Sequence, residues 1–595
     1  MASVGHICDL PQSAIGVAPP DYRPSYVITK GKEDRVAQLA QAAKNASEVF
    51  LATDPDREGE AISWHIAREL KLKNSMRVTF NEITAKAVKA AVQNPRKLDM
   101  GMVAAQETRR VIDRLVGYRV SPAVCNALAG RYSAGRVQSP ALRLVVEREL
   151  EIRNFKSIDH YRVRATFEGG WSARWDMSDV LPKEQKYLTD RALAQQVAND
   201  VSRDPTMKVL SVTGREAKRN PPPPFITSTL LRAASSNLGY SPEVTMKLAQ
   251  TLFEEHLITY HRTDSPSLSE EGEQQIRVFL EQYGRRERWP EGFMPDKPNR
   301  WKAVDSAQGA HEAVRPVDVS VMSAAMISQD ADRLYRLIRD RALACQMSAA
   351  RDQVTNIVLE SSAHINGKPQ KFVATGRVET FPGFRLLWKT DEEEGKGEDQ
   401  GKLPPIQEGS RQTAQKAELE ESKTQPPPRY SEAGLVEALE SHGIGRPSTY
   451  ASIMSVLYKR GYIVQEKKTI RPTDIGEKVA DWLLKSGLDF YDVEYTARIE
   501  KMLDDIAAGR RKYIEVVTLV DRNLPDADDP SKAARQAERA ALEAASQHKC
   551  PVCKSRKLLR RESTKKPGVF WWGCAGYPAC SAKFSDDGGK PGKPF

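Results

Sequence analysis

The stretch SEVFLATDPDREGEAISWHIAREL, residues 47–70, carries the pattern on which the interpretation of the fold rests. Its first residues are a short apolar run that predicts a buried strand, and from Glu60 onward the apolar residues recur with helical spacing. Between them, TDPDREGE predicts a tight turn that carries Asp54, Asp56 and Glu58. A strand, a turn and a helix in this order are typical of an α/β domain, in which ligands bind at the carboxyl ends of the parallel strands.

The three acids of this turn are candidate ligands for a divalent cation. Carboxylates two residues apart at the end of a strand can converge on a hard cation such as Mg²⁺. The alternative is a solvated acidic turn that caps the helix beginning near Glu60. The apolar strand and the neighbouring Gly59 favour a metal site at Asp54, Asp56 and Glu58. The string resembles the DxDxE element of the Toprim fold, which type IA topoisomerases, primases and some nucleases share.

A second motif, LITYHRTDSPSLS at residues 257–269, separates these possibilities. A tyrosine hydroxyl that attacks a phosphodiester needs a cation nearby, and Arg262 would supply it from the same face of a strand as Tyr260. The alternative is a tyrosine that packs in the core. The motif is similar to the TYxRTDS string of type IA topoisomerases. This resemblance assigns Tyr260 as the nucleophile and Arg262 as the residue that stabilises the phosphate.

Further blocks resemble the same family, in the same order, from near the start of the chain to about Arg510. They are SVGHICDLP, AQETRRVIDRLVGYRVSP, SAGRVQSPALRLVVERE, GAHEAVRP, and ESHGIGRPSTYASIM followed by YTARIE. Paired arginines on a helix can otherwise form a solvated face, and a lone histidine is otherwise structural. The resemblance adds His311 and Glu58 to the catalytic residues, and Arg136 and Gln138 would reach the DNA. The DNA contacts that it assigns are His6, Arg109, Arg110, Asp113, Tyr118, Ser133, Ala134, Gly135, Arg136, Val137, Gln138, Arg315, Arg446, Ser448 and Thr449.

A cysteine motif near the end of the chain predicts a structural zinc site. CPVC is followed, after twenty residues, by CAGYPAC, and two close pairs of thiolates suit tetrahedral Zn²⁺. The alternative is free or disulfide-bonded cysteines. The run KPGVFWWG between the pairs suits a zinc ribbon, and its aromatic residues would either stack on unpaired bases or pack the ribbon. The predicted ligands are Cys550, Cys553, Cys574 and Cys580, and the candidate stacking residues are Phe570, Trp571, Trp572 and Tyr577.

The composition is compatible with a DNA-binding protein that works in a reducing compartment. The 595 residues carry a formal net charge of +11, which suits a polyanionic partner. Seven cysteines in such a chain are not a disulfide framework, and no apolar run approaches the roughly 18 residues of a membrane span. A cytoplasmic, DNA-associated protein without membrane contact is therefore expected. The sequence contains no GxxxxGK[ST] phosphate loop, so no nucleotide cofactor is expected.

The proline runs at residues 221–224 and 426–428 indicate domain boundaries. Together with the resemblance, they predict a multidomain α/β plus α+β chain with a Toprim domain, a toroidal type IA topoisomerase core and a C-terminal zinc ribbon. The predicted parts are an N-terminally incomplete Toprim domain at 1–98, a DNA-groove domain at 99–154 and 429–525, a β-rich arch at 155–220 and 350–428, a helical domain with the tyrosine at 221–349, a linker at 526–548, and the ribbon with a basic tail at 549–595.

The resemblance implies ATP-independent relaxation of negatively supercoiled DNA. One strand would be cleaved through a 5′-phosphotyrosyl intermediate, another strand would pass, and the ends would be resealed. The implied metals are Mg²⁺ and structural Zn²⁺, and the implied partner of a monomeric enzyme is single-stranded or negatively supercoiled DNA. The alternatives are a catalytically impaired relative that binds single-stranded DNA, or a Toprim primase or nuclease.

The sequence departs from the family pattern at two places that bear on activity. Cys125 stands where the family commonly has a tryptophan seven residues after the groove tyrosine, and one zinc ribbon is recognisable where many relatives have several. In addition, SVGHICDLP begins at Ser3, so the first Toprim strand of the family and its glutamate have no counterpart in this sequence. We therefore expect the chain as written to cut and reseal DNA poorly.

Overall fold

The acidic turn lies in a region of short strands and longer helices. In this region β1 (Cys8–Asp9) pairs antiparallel with β2 (Val27–Ile28), and β3 (Phe50–Leu51) pairs in parallel with β4 (Met76–Arg77). Its helices are α1 (Glu33–Lys44), α2 (Arg57–Glu69) and α3 (Ala85–Gln93). The computed structural model describes residues 1–73, 75–182, 184–302, 312–389, 401–525, 542–543, 546–563, 568–576 and 580–594.

A capping residue and a glycine shape the acidic turn. Asp56 is the N-cap of α2, and its carboxylate accepts a hydrogen bond of 2.8 Å from the Gly59 amide. The helix therefore begins at Arg57, earlier than the predicted start near Glu60. A Cβ at Gly59 would lie 2.1 Å from the carbonyl oxygen of Asp54, so glycine is needed for the helix to pack against the turn.

A buried arginine holds the backbone of this turn in place. Arg77 is fully buried and forms an ion pair of 2.9 Å with Glu60, which is also fully buried. Its guanidinium also donates hydrogen bonds to the carbonyl oxygens of Thr53 and Asp54, at 2.8 and 2.6 Å. Because β3 is only two residues long, these contacts position the turn where the sequence predicted a longer strand.

The helices that flank the acidic turn come from two separated parts of the chain. They share one core, which runs from Leu10 to Leu524. A Cβ at Gly101 would lie 2.4 Å from the carbonyl oxygen of Ala507, so two of these helices approach closely at that point. The elements are α4 (Met100–Leu128), α5 (Gln138–Asn154), α11 (Glu432–Ser441), α12 (Tyr450–Lys459), β11 (Ile463–Glu466), β12 (Thr469–Pro472), α13 (Asp474–Lys485), α14 (Val493–Ala507) and α15 (Tyr513–Asp521), with a 3-10 helix at Asp489–Tyr491.

Six strands close into a barrel, in the order β10-β5-β6-β9-β8-β7. The sequence predicted a β-rich region here but not the closure of the sheet. The barrel core is apolar and includes Phe167, Trp175 and Phe372. The strands are β5 (Asp159–Phe167), β6 (Ser172–Trp175), β7 (Thr206–Arg219), β8 (Ala350–Ile365), β9 (Lys368–Phe381) and β10 (Arg411–Lys423), and α6 (Arg191–Arg203) packs beside them.

A helical unit with its own core is inserted between β7 and β8. It contains α7 (Thr227–Leu238), α8 (Pro242–Glu254), α9 (Glu270–Arg286) and α10 (Gln329–Cys345). The motif with Tyr260 connects α8 to α9 and is irregular, apart from a single bridge between Ile258 and Pro316. The prediction that Tyr260 and Arg262 share the face of a strand is therefore wrong.

The C-terminal module is a four-stranded antiparallel sheet. A small core of cysteines, Leu558, Trp572 and Phe584 lies against the sheet. Its strands are β13 (Leu558–Glu562), β14 (Phe570–Cys574), β15 (Lys583–Asp587) and β16 (Lys590–Pro594). Most of the predicted linker at 526–548 lies outside the described residues.

Candidate active site and DNA groove

Tyr260 lies against the acidic turn, although more than 200 residues separate them in sequence. Its phenol oxygen is 2.8 Å from Asp56 Oδ2 and 3.4 Å from Asp54 Oδ2. The backbone amide of Tyr260 donates a hydrogen bond of 2.7 Å to the carbonyl oxygen of Asn81. The residue is only 2% exposed, so the hydroxyl is enclosed between the acidic turn and the helical unit. We call Asp54, Asp56 and Tyr260 the active-site cluster.

The active-site cluster places the carboxylates of Asp54 and Asp56 close together beside the buried phenol of Tyr260. Burial and the charges of Asp56 and Asp54 raise the pKa of Tyr260 well above its ordinary value of 10. Burial and the charge of Asp56 also raise the pKa of Asp54 above its ordinary value. The phenol is therefore protonated in the free protein, and its proton points toward a carboxylate that can accept it.

A pocket beside the phenol is lined by four arginines. Its wall combines these cations with the acidic turn, with α4 and with the loop before α12. Such a concentration of guanidinium groups suits a phosphate, which arginine binds in a forked geometry. The lining residues are Asp56, Arg57, Glu58, Ala105, Gln106, Arg109, Arg262, Asp264, Arg446, Pro447 and Ser448.

Glu58 points away from the other two acids. Its Oε1 lies 2.7 Å from His6 Nε2. Burial would raise the pKa of Glu58, but the hydrogen bond and charge of His6 outweigh burial and lower it. Among the residues that the structure describes, only the cysteine group brings three or more possible metal ligands within 4.8 Å of one another. Asp54 and Asp56 thus face one point, whereas Glu58 would have to turn toward them to share a cation.

Behind the pocket, opposite charges alternate in a set that we call the groove ion-pair network: Arg57, Arg136, Arg446, Glu500 and Asp504. Arg136 pairs with Glu500 at 2.6 Å, and both side chains are 1% exposed. Arg446 pairs with Asp504 at 2.9 Å, and Arg57 pairs with the same aspartate. Burial would raise the pKa of Glu500, but the arginines lower it to about 2. The network ties the acidic turn to α14.

Two predicted DNA contacts are buried and form ion pairs inside the protein. Arg136 is 2% exposed and also pairs with Asp113 at 2.9 Å. Arg315 is 3% exposed and pairs with Glu82 and Glu312. In this structure both guanidiniums are held by carboxylates in the interior and connect separate elements of the fold.

The remaining predicted contacts lie along α4, the turn before α5 and the loop before α12. Arg109, Arg446 and Ser448 line the arginine pocket. Arg110 pairs with Asp9, and the Tyr118 hydroxyl donates to the carbonyl oxygen of Gln12. In the turn before α5, Ala134 is buried, the Gln138 side-chain amide donates a hydrogen bond to the Ser133 hydroxyl, and Gly135 and Val137 lie between them. In the loop before α12, the Thr449 hydroxyl donates a hydrogen bond to the Arg446 carbonyl. His311 lies outside the described residues.

Sequence reasoning did not single out Arg57, or Glu500 and Asp504 of α14. Arg57 stands inside the DxDxE string, but its partner Asp504 lies 447 residues away. Glu500 belongs to the matched string YTARIE, which gave no role for its carboxylate. The signal that was available is the charge pattern of α14, which places Glu500 and Asp504 one turn apart on one face.

The four cysteines of the C-terminal sheet gather as one group. Their ligand atoms all lie within 4.8 Å of one another, and Cys550, Cys574 and Cys580 are buried. The sulfur atoms of Cys550 and Cys580 are 3.8 Å apart, which is not a disulfide distance. Four thiols at this spacing fit one tetrahedral ion.

The structure distinguishes the aromatic residues of the ribbon. Trp572 is buried, and its indole N–H donates a hydrogen bond of 2.7 Å to Asp586. Trp571 lies on the opposite face of β14, against Gly573, where a Cβ would come within 2.7 Å of its ring. The Lys583 ammonium lies 5.6 Å from the centre of the Trp571 ring. Phe570 and Trp571 are both half-buried with a cation beside the ring, since the Arg560 guanidinium lies 4.1 Å from the centre of the Phe570 ring. Tyr577 lies outside the described residues.

Within the described part of the chain, no helix combines the length and the apolar character that crossing a membrane requires.

Comparisons with known proteins agree over almost the whole chain. A family model described as DNA topoisomerase matches residues 97–518, and one described as Toprim domain matches residues 1–83. The plasmid DNA topoisomerase I of Xylella fastidiosa is 44% identical over 602 residues, which cover 100% of this chain and 87% of the relative. DNA topoisomerase 1 of Campylobacter jejuni is 36% identical, over 98% of this chain and 82% of the relative. Full-length topoisomerase I of Thermotoga maritima superposes with a TM-score of 0.77 at 33% identity, covering 100% of this chain and 96% of that chain.

Proposed function

The chain belongs to the bacterial type IA DNA topoisomerase I family and relaxes DNA, and we propose that it does so through a transient bond between Tyr260 and a cleaved strand. The observation that carries this proposal is the position of the phenol. Its hydroxyl is hydrogen bonded to Asp56, and Asp56 lines a pocket that also contains four arginines. A nucleophile, a proton acceptor and phosphate-binding cations thus meet at one point.

In the proposed cleavage step, Asp56 accepts the phenol proton while Tyr260 Oη attacks the phosphorus. The P–Oη bond forms and the bond from phosphorus to the 3′ oxygen breaks. The strand then has a 5′-phosphotyrosyl end, the 3′ oxygen takes a proton from water, and Asp56 returns the phenol proton to water. Because the raised pKa of Tyr260 disfavours a free phenolate, proton transfer has to accompany the attack. Resealing is the reverse, so no nucleotide hydrolysis is required.

The arginines of the pocket have the role of stabilising the charge that develops on the phosphate oxygens. Arg262 follows Tyr260 closely in sequence and lines the same pocket. Arg57 and Arg446 also line it, while Asp504 holds both guanidiniums from behind. Fixed cations of this kind need little reorganisation when the phosphate charge changes.

The active-site cluster fits a divalent cation held by Asp54 and Asp56. Their carboxylates face the same phenol oxygen, and their mutual repulsion is the kind that a hard cation relieves. Mg²⁺ bound there would supply positive charge beside the scissile phosphate. Glu58 would join the site only after leaving His6. The chain's own residues are therefore arranged to hold the phenol and its proton before a cation enters.

We assign the four cysteines of the ribbon to a structural Zn²⁺, and the exposed face around Trp571 to single-stranded DNA. The thiols fit a tetrahedral ion, and an indole between Arg561 and Lys583 can stack on a base while the cations contact the backbone. The topoisomerase family match favours this function over a Toprim primase or nuclease. We further propose that the protein acts as a monomer in the cytoplasm.

The test is to trap the covalent intermediate. A labelled single-stranded oligonucleotide is incubated with the protein and Mg²⁺, the mixture is denatured, and the DNA-linked residue is mapped by mass spectrometry. The expected adduct is on Tyr260, and Tyr260→Phe should give none. Tyr240→Phe is a matched control, because Tyr240 lies in the same helical unit and its hydroxyl also donates to a carboxylate, that of Asp330. An adduct on another residue, or one that survives in Tyr260→Phe, would remove the proposal.

A further inference from the structure

One arginine of the ribbon reaches out of the module. Arg556 lies between Cys553 and β13, and its guanidinium contacts acids on both sides. It binds Glu543, which precedes the ribbon, at 2.8 and 2.6 Å, and Asp489 of the helical core at 3.1 Å. The three side chains are 14%, 17% and 7% exposed, so the contact is largely sheltered from water.

The cysteine group fixes the shape of the segment that carries this arginine. The Cys550 amide donates a hydrogen bond of 2.8 Å to the carbonyl oxygen of Arg556. A Cβ at Gly576 would lie 3.3 Å from both Arg556 Cγ and Cys574 Sγ. The stem of Arg556 therefore runs across the second cysteine pair, and the glycine leaves the space for it.

On the other side, the contact ends in the helices that form the arginine pocket. Asp489 begins the 3-10 helix Asp489–Tyr491, which is buried and directly precedes α14. Glu500 and Asp504 of α14 belong to the groove ion-pair network. A ribbon held at Asp489 is thus attached to the same layer of helices that positions the groove arginines.

A second arginine of the ribbon makes a contact of a different kind. Arg560 pairs with Asp586 through two contacts of 2.8 Å, but both residues belong to the ribbon sheet. Arg560 therefore connects strands within the module, whereas Arg556 connects the module to the core. A guanidinium shared by two sheltered carboxylates is costly to break, because it leaves buried acids without their cation.

We propose that Arg556 is a latch that seats the ribbon on the helical core in one orientation, with its shape set by the cysteine group. The stacking face around Trp571 then keeps a fixed position relative to the arginine pocket. A strand that is released from the pocket would stay within reach of the ribbon during strand passage. Release of the latch would leave the chemistry intact but would uncouple capture of DNA from cleavage.

The test compares Arg556→Ala with Arg560→Ala in the full-length protein. Small-angle X-ray scattering and limited proteolysis measure whether the ribbon is seated, and zinc content measures whether it is folded. Arg556→Ala should increase the maximum dimension and speed proteolytic release of the ribbon, with zinc retained, while Arg560→Ala should behave like the parent. Cleavage of a short oligonucleotide should change less than about twofold in Arg556→Ala, but plasmid relaxation should become more sensitive to salt.

Asp489→Asn provides the same test from the core side and does not alter the ribbon. It should release the ribbon as Arg556→Ala does, even if the arginine variant loses zinc. A seated ribbon in Asp489→Asn, with scattering and proteolysis like the parent, would overturn the proposal. Equal release in Arg556→Ala and Arg560→Ala would overturn it as well, because the effect would then reflect loss of any ribbon ion pair.

Discussion

The active-site cluster and the groove ion-pair network both contribute residues to the arginine pocket and are built on opposite principles. The cluster places two aspartates against a phenol, so burial and repulsion raise the pKa of Asp54. The network alternates charges, so burial is overcome by arginines and the pKa of Glu500 falls. The first arrangement is unfavourable until a cation arrives, whereas in the second each carboxylate already pairs with an arginine in the free protein. The difference separates the acids that contact the proposed nucleophile from the acids that hold the arginines of the pocket in place.

The largest expected effect is on activity at the cluster. Tyr260→Phe should reduce plasmid relaxation by at least about 10⁴-fold, the order seen when a covalent nucleophile is lost. The free energy of unfolding should change by less than about 1 kcal/mol, because the ring keeps its packing and Asp56 keeps the Gly59 amide. Relaxation assays and urea unfolding measure the two quantities. Retained relaxation would contradict the assignment of the nucleophile.

The network should show the reverse pattern. Glu500→Gln is expected to lower the free energy of unfolding by about 3 kcal/mol, because it leaves the buried Arg136 without its closest partner. Glu477→Gln is the matched control, since it removes a more exposed ion pair with Arg153 and should cost less than about 0.5 kcal/mol. If both variants unfolded at the same urea concentration, the network would not be the element that holds the pocket.

Asp54→Asn should distinguish the active-site cluster from the groove ion-pair network, because it is expected to lower activity and to raise stability. Relaxation should fall by about 10²-fold as a candidate cation ligand is lost. The free energy of unfolding should rise, by up to about 1 kcal/mol, because one of two neighbouring charges is removed. Thermal and urea unfolding are measured beside the relaxation rate. A destabilisation similar to that of Glu500→Gln would show that Asp54 is a structural acid.

The smallest effect is the pH dependence of stability, and its sign differs between the two regions. Glu500 has its pKa lowered from 4.5 to about 2, so its stabilising contribution is complete above pH 4.5 and disappears as the pH falls toward 2. Asp54 has a raised pKa, so acidification removes an unfavourable charge and the stability gained by Asp54→Asn should shrink as pH falls. Urea unfolding between pH 7 and 4 checks Asp54, and lower pH checks Glu500. A constant difference between parent and Asp54→Asn would contradict the sign at Asp54.

The sequence predicted the residues of the site better than their arrangement. Cys550 to Cys580 form a local group, so their spacing alone indicated the metal site. Tyr260 and Asp56 were each identified from a short string, but their hydrogen bond depends on how distant parts of the chain pack. For the same reason Arg136 was taken for a surface contact, since its buried partner Glu500 lies 364 residues away.

The prediction of secondary structure was limited in the same way, because contacts between distant parts of the chain decide it. The resemblance implied a β-rich arch at residues 155–220 and 350–428, but closure of a barrel depends on pairing between β7 and β10, which are far apart in sequence. The motif around Tyr260 was predicted to be a strand with Tyr260 and Arg262 on one face. Its amide instead bonds Asn81 and its ring joins the helical core, so tertiary contacts decide the local backbone.

The hydrogen bond from the Tyr260 amide to the Asn81 carbonyl provides a way to measure how often the active site opens. The amide is buried, and its acceptor Asn81 lies outside the helical unit that carries Tyr260. The amide can therefore exchange with deuterium only when the contact between these two parts of the protein opens. The rate of deuterium uptake at this single amide therefore reports how often that contact opens, whether or not any DNA is cut. In Tyr260→Phe the amide persists while the chemistry does not, so the same measurement would give the intrinsic frequency with which the protein opens to a strand.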